Sequence, residues 1–385
     1  MKQSYAVIIV GAGIMGLSTA YYLAKKGCRD ILILEKEESW ITGSTAKANG
    51  GFRQQFSTYA NIRLSQLSLP VFENFEAEFE VDIAFRQFGY LFTTSTQTGQ
   101  EIIQRNIPFQ RKHGVPVEWL TADEVGKVAG YVRSDDLLGA AFCPEDGYAD
   151  SYSIAAGFGK AALRLGVELQ TSEPVIDISL ETGRITGVRT ATRKLETAVL
   201  INAAGPHARE VGRMAGTEVP IDPVRRMLIL TENFPQIPDR VPMTIDLDMG
   251  FFMRKESGRV LMGWSDPEEP VGYNCAFDPE YIEAVAEKAV IRVPALSEAA
   301  VNSRRCWAGL YEVSPDHHPI LGESHEIEGL FLANGFSGRG MMHSPAVGMV
   351  LSDLILEKDT DLLDVHPLRP GRFSDGELMD EGMIV

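Results

Sequence analysis

The chain has 385 residues, 44% hydrophobic and 23% charged, which is ample apolar material for two globular domains. Its 36 Lys and Arg against 53 Asp and Glu leave a net charge of −17, a field that repels nucleic acid and anionic membranes but still permits a small anion held by one local cation. No stretch approaches the roughly 20 apolar residues of a spanning helix, and four scattered cysteines (Cys28, Cys143, Cys275, Cys306) without a CxxC pair predict reduced thiols in a cytoplasmic protein, not disulfides or structural zinc.

Residues 5–10 form a continuous apolar run that predicts a strand buried on both faces of a parallel sheet. The apolar part of that run is too short for a signal-peptide core and leads into a glycine turn. Next, Leu17, Ala20, Tyr21, Leu23 and Ala24 are spaced for one helical face, and Gly27 stands where a helix terminator belongs. Residues 31–34 then give a second strand and complete a βαβ unit. Further along, 72–79 reads as an amphipathic helix, 89–94 and 117–120 as strands, and 153–165 as a helix. Strands are predicted at 167–169, 175–179, 185–190 and 197–202. From 219 to 264 the texture changes to short strands broken by prolines, the composition of an antiparallel sheet in a separate domain. A helix follows at 280–291, and the chain closes with a strand at 330–334 and a helix at 345–357.

Gly11-Ala12-Gly13-Ile14-Met15-Gly16 fits GxGxxG between that first strand and helix. Glycines there permit the tight turn, the close approach of backbone to a pyrophosphate and the packing of helix on strand. The phosphates meet free N–H groups and the positive end of the helix. Glu35 ends the second strand 24 positions after Gly11, where an acid accepts from a ribose hydroxyl and repels a 2′-phosphate. A dinucleotide without 2′-phosphate is expected; NAD or FAD is left open by these residues alone.

Three later segments narrow the choice: Gly43-Ser44-Thr45-Ala46-Lys47-Ala48-Asn49-Gly50-Gly51-Phe52-Arg53, Asn202-Ala203-Ala204-Gly205, and Trp307-Ala308-Gly309 with Ser314-Pro315-Asp316-His317-His318-Pro319-Ile320-Leu321-Gly322. With the opening, they resemble the D-amino-acid oxidase superfamily of flavoenzymes over nearly the whole chain. The nearest branch is the sarcosine oxidase β-subunit and dye-linked L-proline dehydrogenase β-subunit group. The resemblance implies FAD. It assigns Lys36, Ser44, Thr45, Asn49, Gly50 and Gly51 to the cofactor, with Val175 facing the adenine through its backbone and Ala204 and Gly205 beside the dinucleotide. It also implies an α/β fold, a discontinuous FAD-binding domain (1–90, 140–215, 305–370) joined to a mainly antiparallel substrate domain (91–139, 216–304), and a C-terminal tail at 371–385.

Gly335-Phe336-Ser337-Gly338-Arg339-Gly340-Met341-Met342-His343-Ser344-Pro345 precedes the last helix. Its glycines let backbone approach a flat ring, and Pro345 suits a first helical turn. The family places Gly338, Arg339, Gly340, Met341 and Met342 at the edge of the flavin where negative charge develops on reduction, with Arg339 as the local cation and His343 as a second candidate. Arg53 aligns with an arginine that sarcosine-type enzymes use to grip the substrate carboxylate. Tyr311 stands where glycine and D-amino-acid oxidases carry an arginine; its hydroxyl could bond that carboxylate or its ring could pack on the flavin. Gly309 stands at the covalent-cysteine position of single-chain sarcosine oxidases, so noncovalent FAD is expected. His317 and His318 are adjacent on an extended segment and point opposite ways, so no metal is expected.

The implied reaction is oxidation of the C–N bond of a small amino acid to an imine, with secondary amines such as sarcosine or proline preferred and other amino acids or opines as the alternative. Electrons pass to oxygen or to an accepting partner. The chain is read either as a self-sufficient enzyme or as the flavin subunit of a heteromeric dehydrogenase.

Overall fold

The computed structural model describes residues 2–382; positions 383–385 of the tail expected at 371–385 lie outside the described residues. The fold is α/β and is organised by two large sheets. The first has six strands in the order Ile320–Glu323, Leu330–Asn334, Leu200–Asn202, Val7–Val10, Ile31–Leu34, Glu168–Gln170. All its pairings are parallel except the one between Ile320–Glu323 and Leu330–Asn334. Its central strands are buried throughout, which explains why they read as unbroken Val/Ile/Leu runs and do not alternate. Helices Ile14–Lys25, Ser151–Arg164 and Gly340–Leu356 pack together on one face through Leu17, Tyr21, Phe158, Val347 and Leu351.

The second sheet has eight strands, in the order Trp307–Val313, Asp222–Leu230, Arg259–Trp264, Phe251–Glu256, Met243–Asp246, Tyr90–Thr94, Gly139–Cys143, Glu118–Leu120. Only the pairing of Met243–Asp246 with Tyr90–Thr94 is parallel. Helix Tyr281–Arg292 covers one face and buries Val285 and Ala289 against Met253 and Met262. Strand Gly139–Cys143 from its second residue on and all of strand Trp307–Val313, which the expected division places on the nucleotide side, hydrogen-bond into this sheet.

Three differences from the sequence pattern have a clear physical cause. The helix read at 72–79 is the end of a longer helical stretch, Tyr59–Glu73 followed by Phe75–Phe79. Its apolar face is masked in the sequence by Asn61, Ser65 and Ser68, all fully buried because each has a partner: Glu381, the Arg53 carbonyl and the Leu64 carbonyl. Helix Gln97–Lys112 was not predicted, since Gly99 and Pro108 interrupt its pattern; Thr96 caps it by accepting from the Gly99 N–H at 3.1 Å. The last helix starts at Gly340, five residues before Pro345. Pro345 therefore lies inside it, and the Met341 carbonyl it cannot serve is taken by the Ser344 hydroxyl at 2.9 Å.

Candidate active site

The glycine turn shows why its residues must lack side chains. Gly11 has φ +107°, and a Cβ there would lie 2.4 Å from the Ala203 carbonyl oxygen. A Cβ on Gly16 would lie 2.1 Å from the Gly11 oxygen. Strand, turn and helix can approach this closely only with glycine at both positions. The Glu35 carboxylate accepts from the Ala12 N–H at 2.8 Å and from the Glu37 N–H at 3.0 Å, and the Ile14 N–H donates to Thr45 Oγ1 at 3.1 Å. The segment after the second strand is thereby tied to the turn.

Beside this turn lies a cavity of about 790 Å³ that reaches from the parallel sheet to the antiparallel one. Of the residues picked from sequence, Gly11, Gly13, Ile14, Met15, Glu35, Lys36, Ser44, Thr45, Asn49, Val175, Ala204, Gly205, Gly309, Tyr311, Gly338, Gly340 and Met341 line it. Ala12, Gly16, Gly50, Gly51, Met342, Arg53, Arg339 and His343 do not, and stand behind its wall. Gly309 holds strand and loop together, because a Cβ there would lie 2.5 Å from Lys47 Cβ; Ser44 Oγ donates to the Leu310 carbonyl at 2.6 Å alongside it.

The wall behind Tyr311 carries unusual charge. Arg53 is buried, with its guanidinium 4.5 Å from the centre of the Phe56 ring and 5.1 Å from that of Phe92, and it donates to the Gln55 carbonyl at 3.3 Å. Arg339 lies 5.5 Å from the same Phe56 ring and donates to the His317 carbonyl. Burial and the neighbouring Arg53 pull the Arg339 pKa down to about 10. Burial, Arg339 and Arg53 likewise hold His343 well below the usual histidine range, so its imidazole is neutral. The tail supplies the answering charge. Glu381 accepts from the Ser57 N–H at 2.8 Å and from Asn61 Nδ2 at 3.0 Å, and although burial works against its ionisation, Arg339 and Arg53 keep its pKa lowered.

Sequence reasoning missed several cavity residues. Glu312 lines the cavity with its pKa raised to about 8 by burial, and it accepts from the Phe336 N–H at 3.5 Å. His207 stacks on Tyr273 at 4.7 Å and contacts Lys36 Nζ at 3.0 Å. Arg226, Phe252 and Trp264 come from the antiparallel sheet. The sequence signal for Arg226 was strand alternation: in Arg225-Arg226 one side chain must face each side.

A glycine cradle of this shape, an acid beside it and a long cavity suit a dinucleotide. The FAD dependent oxidoreductase (DAO) family model matches residues 6–354. The chain belongs to this family of FAD-dependent oxidoreductases. It is similar to FAD-dependent oxidoreductase domain-containing protein 1 of Bos taurus, with 28% identity over 98% of this chain and 87% of the relative. It is also 28% identical to mitochondrial dimethylglycine dehydrogenase of Rattus norvegicus, over 97% of this chain but only 46% of that longer protein. Among solved structures, L-proline dehydrogenase from P. horikoshii superposes with a TM-score of 0.91 at 29% identity, covering 98% of this chain and 100% of the other. No helix among the described residues is long and apolar enough to cross a membrane.

Proposed function

We propose that the protein oxidises the C–N bond of a small amino acid, preferentially a secondary amine such as proline or sarcosine, to an imine that water then hydrolyses. Bound FAD supplies the hydride acceptor. The observation that carries the reading is the cationic wall at Tyr311: the Arg226 guanidinium lies 5.6 Å from the centre of its ring, and although burial raises the phenol's pKa, the charges of Arg226, Arg339 and Arg53 all work to lower it. Such a field disfavours an ammonium and favours the neutral amine whose lone pair expels the Cα hydride. With FAD bound, the same positive wall would favour negative charge on the cofactor. Tyr311 walls the cavity, while Arg339 and Arg53 act through their field from behind it. His343, kept neutral, lies 5.6 Å from the Phe56 ring, centre to centre, and adds no charge.

For the cofactor, Gly11 to Gly16 with Glu35 hold the pyrophosphate and ribose. Lys36, Ser44, Thr45 and Asn49 would form the wrapping segment, Val175, Ala204 and Gly205 the adenine side, and Gly309, Gly338, Gly340 and Met341 the ring side, with Gly50, Gly51, Arg339 and Met342 supporting them from behind the wall. Binding is noncovalent. We read the chain as the two domains expected from sequence, with strands 139–143 and 307–313 joining them, acting in the cytoplasm and passing electrons to oxygen or to a partner subunit. Anaerobic mixing of the purified holoenzyme with a panel of amino acids tests the reading: proline or sarcosine should bleach the flavin fastest. A flavin untouched by every amino acid, yet reduced by another class of donor, refutes it.

A further inference from the structure

We infer that Arg226 anchors the substrate carboxylate, and that the apolar wall beside it (Leu228, Phe252 and Trp264) receives the carbon skeleton. This rests on the reading of the cavity as an amino-acid oxidation site and names which residues select its substrate.

The geometry begins with strand alternation. Arg225 and Arg226 are successive on strand Asp222–Leu230, so their side chains leave on opposite faces. Arg225 is already matched: its Nε donates to Glu269 at 2.8 Å and its Nη1 to the Ala276 carbonyl at 2.8 Å. Arg226 turns to the cavity, opposite Gly309 in the ladder, with its guanidinium 5.6 Å from the centre of the Tyr311 ring. Its one side-chain hydrogen bond among the described residues is Nη1 to the Arg225 carbonyl at 3.0 Å. Nε is buried and has no partner among them, and no carboxylate forms an ion pair with it. Its charge acts on Tyr311, Tyr281 and His317.

Three buried arginines of the fold have carboxylates. Arg254 meets Glu256 at 2.5 Å, Arg292 meets Asp246 at 2.6 Å, and Arg372 meets Asp316 at 2.8 Å. Removing a guanidinium from water is costly unless an anion compensates it. Arg226 leaves the Nε–Nη2 edge, the edge that grips a carboxylate at two points, without a protein partner. Arg53 is less suited to that task, since it lies behind the wall and Glu381 already answers its charge. A carboxylate on Arg226 leaves the rest of the molecule against Leu228, Phe252 and Trp264, which line the same cavity and come from neighbouring strands. Apolar and ring-bearing amino acids fit that wall; acidic side chains do not.

The test uses the FAD-loaded protein and tetrahydrofuran-2-carboxylate, a ring acid with no C–N bond to oxidise, against its carboxamide, with flavin absorbance as the binding signal. The wild type should bind the acid, Arg226→Met should weaken it at least tenfold, and Arg226→Lys should fall between, because an ammonium cannot give the planar two-point grip. The carboxamide should bind all three proteins equally and weakly, and FAD affinity should not change. Equal acid binding by wild type and Arg226→Met overturns the assignment, and so does loss of FAD in place of loss of the acid, which would give Arg226 to the cofactor phosphates. Failure of the underlying reading looks different: amino acids would then leave the wild-type flavin oxidised even where the acid binds.

Discussion

The carboxylate of Glu35 and the backbone N–H of Ala12 are joined by a 2.8 Å hydrogen bond, so the acid that ends the second strand also braces the glycine turn. A ribose hydroxyl donating to the same carboxylate would add a charged hydrogen bond of roughly 1.5–3 kcal/mol. Glu35→Ala should therefore weaken FAD binding by about one to two orders of magnitude. The fold should survive, since Glu35 belongs to the cavity wall and not to the core. Flavin fluorescence titration of the apoprotein reads this directly; an unchanged dissociation constant would separate Glu35 from the ribose.

Gly338 and Tyr311 define the other end of the cavity. Gly338 has φ +89°, and a Cβ on it would lie 2.4 Å from the Tyr311 ring. Gly338→Ala must strain the loop and push the ring aside, at a cost of roughly 1–3 kcal/mol in stability. FAD should still bind through the distant turn, while flavin reduction by substrate slows about 100-fold because alignment is lost. Wild-type reduction kinetics in the variant would mean that Tyr311 does not define the reacting geometry.

Gly309 leads to a simpler expectation. Lys47 and the strand pack too closely there for a cysteine, and Cys306 is three positions away with its thiol directed to the Asn302 carbonyl. Acid or heat should release the flavin without proteolysis. Flavin that stays with the precipitated chain would point to a covalent bond.

What could be read from residues alone follows from how locally each feature is specified. The glycine turn with Glu35 was legible because strand, turn and helix are contiguous, and each glycine answers a steric demand within a few residues. Arg226 was not, because only the pairing of Asp222–Leu230 with Trp307–Val313 decides which of two adjacent arginines faces the cavity. Glu381 was hidden more deeply. In a polar tail it reads as a solvated charge, yet it ends up 2% exposed against the start of helix Tyr59–Glu73. That same burial is what allows Asn61 to be interior and what blurred the helix in the sequence.

Asp146 gives a pH prediction. It is fully buried and accepts from the Gln54 N–H at 2.9 Å and from Gln55 Nε2 at 3.1 Å, and burial raises its pKa to about 7. A carboxyl whose folded pKa lies above its unfolded value binds more protons in the folded state, so its stabilisation is complete below about pH 4 and is lost as pH rises through about 7. Asp146→Asn removes this linkage while keeping an acceptor for Gln54. Thermal melts from pH 5 to 8 should show the variant gaining on the wild type as pH rises. Parallel melting curves would show that Asp146 titrates normally.

Arg53 tests the electrostatic half of the mechanism. Its guanidinium sits between Phe56 and Phe92, shares the buried wall with Arg339, and adds positive potential at Tyr311. If the cationic wall favours the neutral amine, the bound substrate's amine must lose its proton at a lower pH than the free amino acid does. The rate of flavin reduction should then rise with pH along a limb set by that lowered value. Arg53→Met keeps most of the volume and removes the charge, so the limb should move up by about one pH unit, equivalent to ~1.4 kcal/mol of electrostatic work. Substrate affinity at high pH, where the amine is already neutral, should change far less, because Arg53 does not line the cavity. A contact role predicts the reverse: affinity would fall at every pH and the limb would stay in place. Stopped-flow reduction of FAD-saturated wild type and Arg53→Met across that pH range separates the two, and an unmoved limb with weakened binding would return the carboxylate to Arg53.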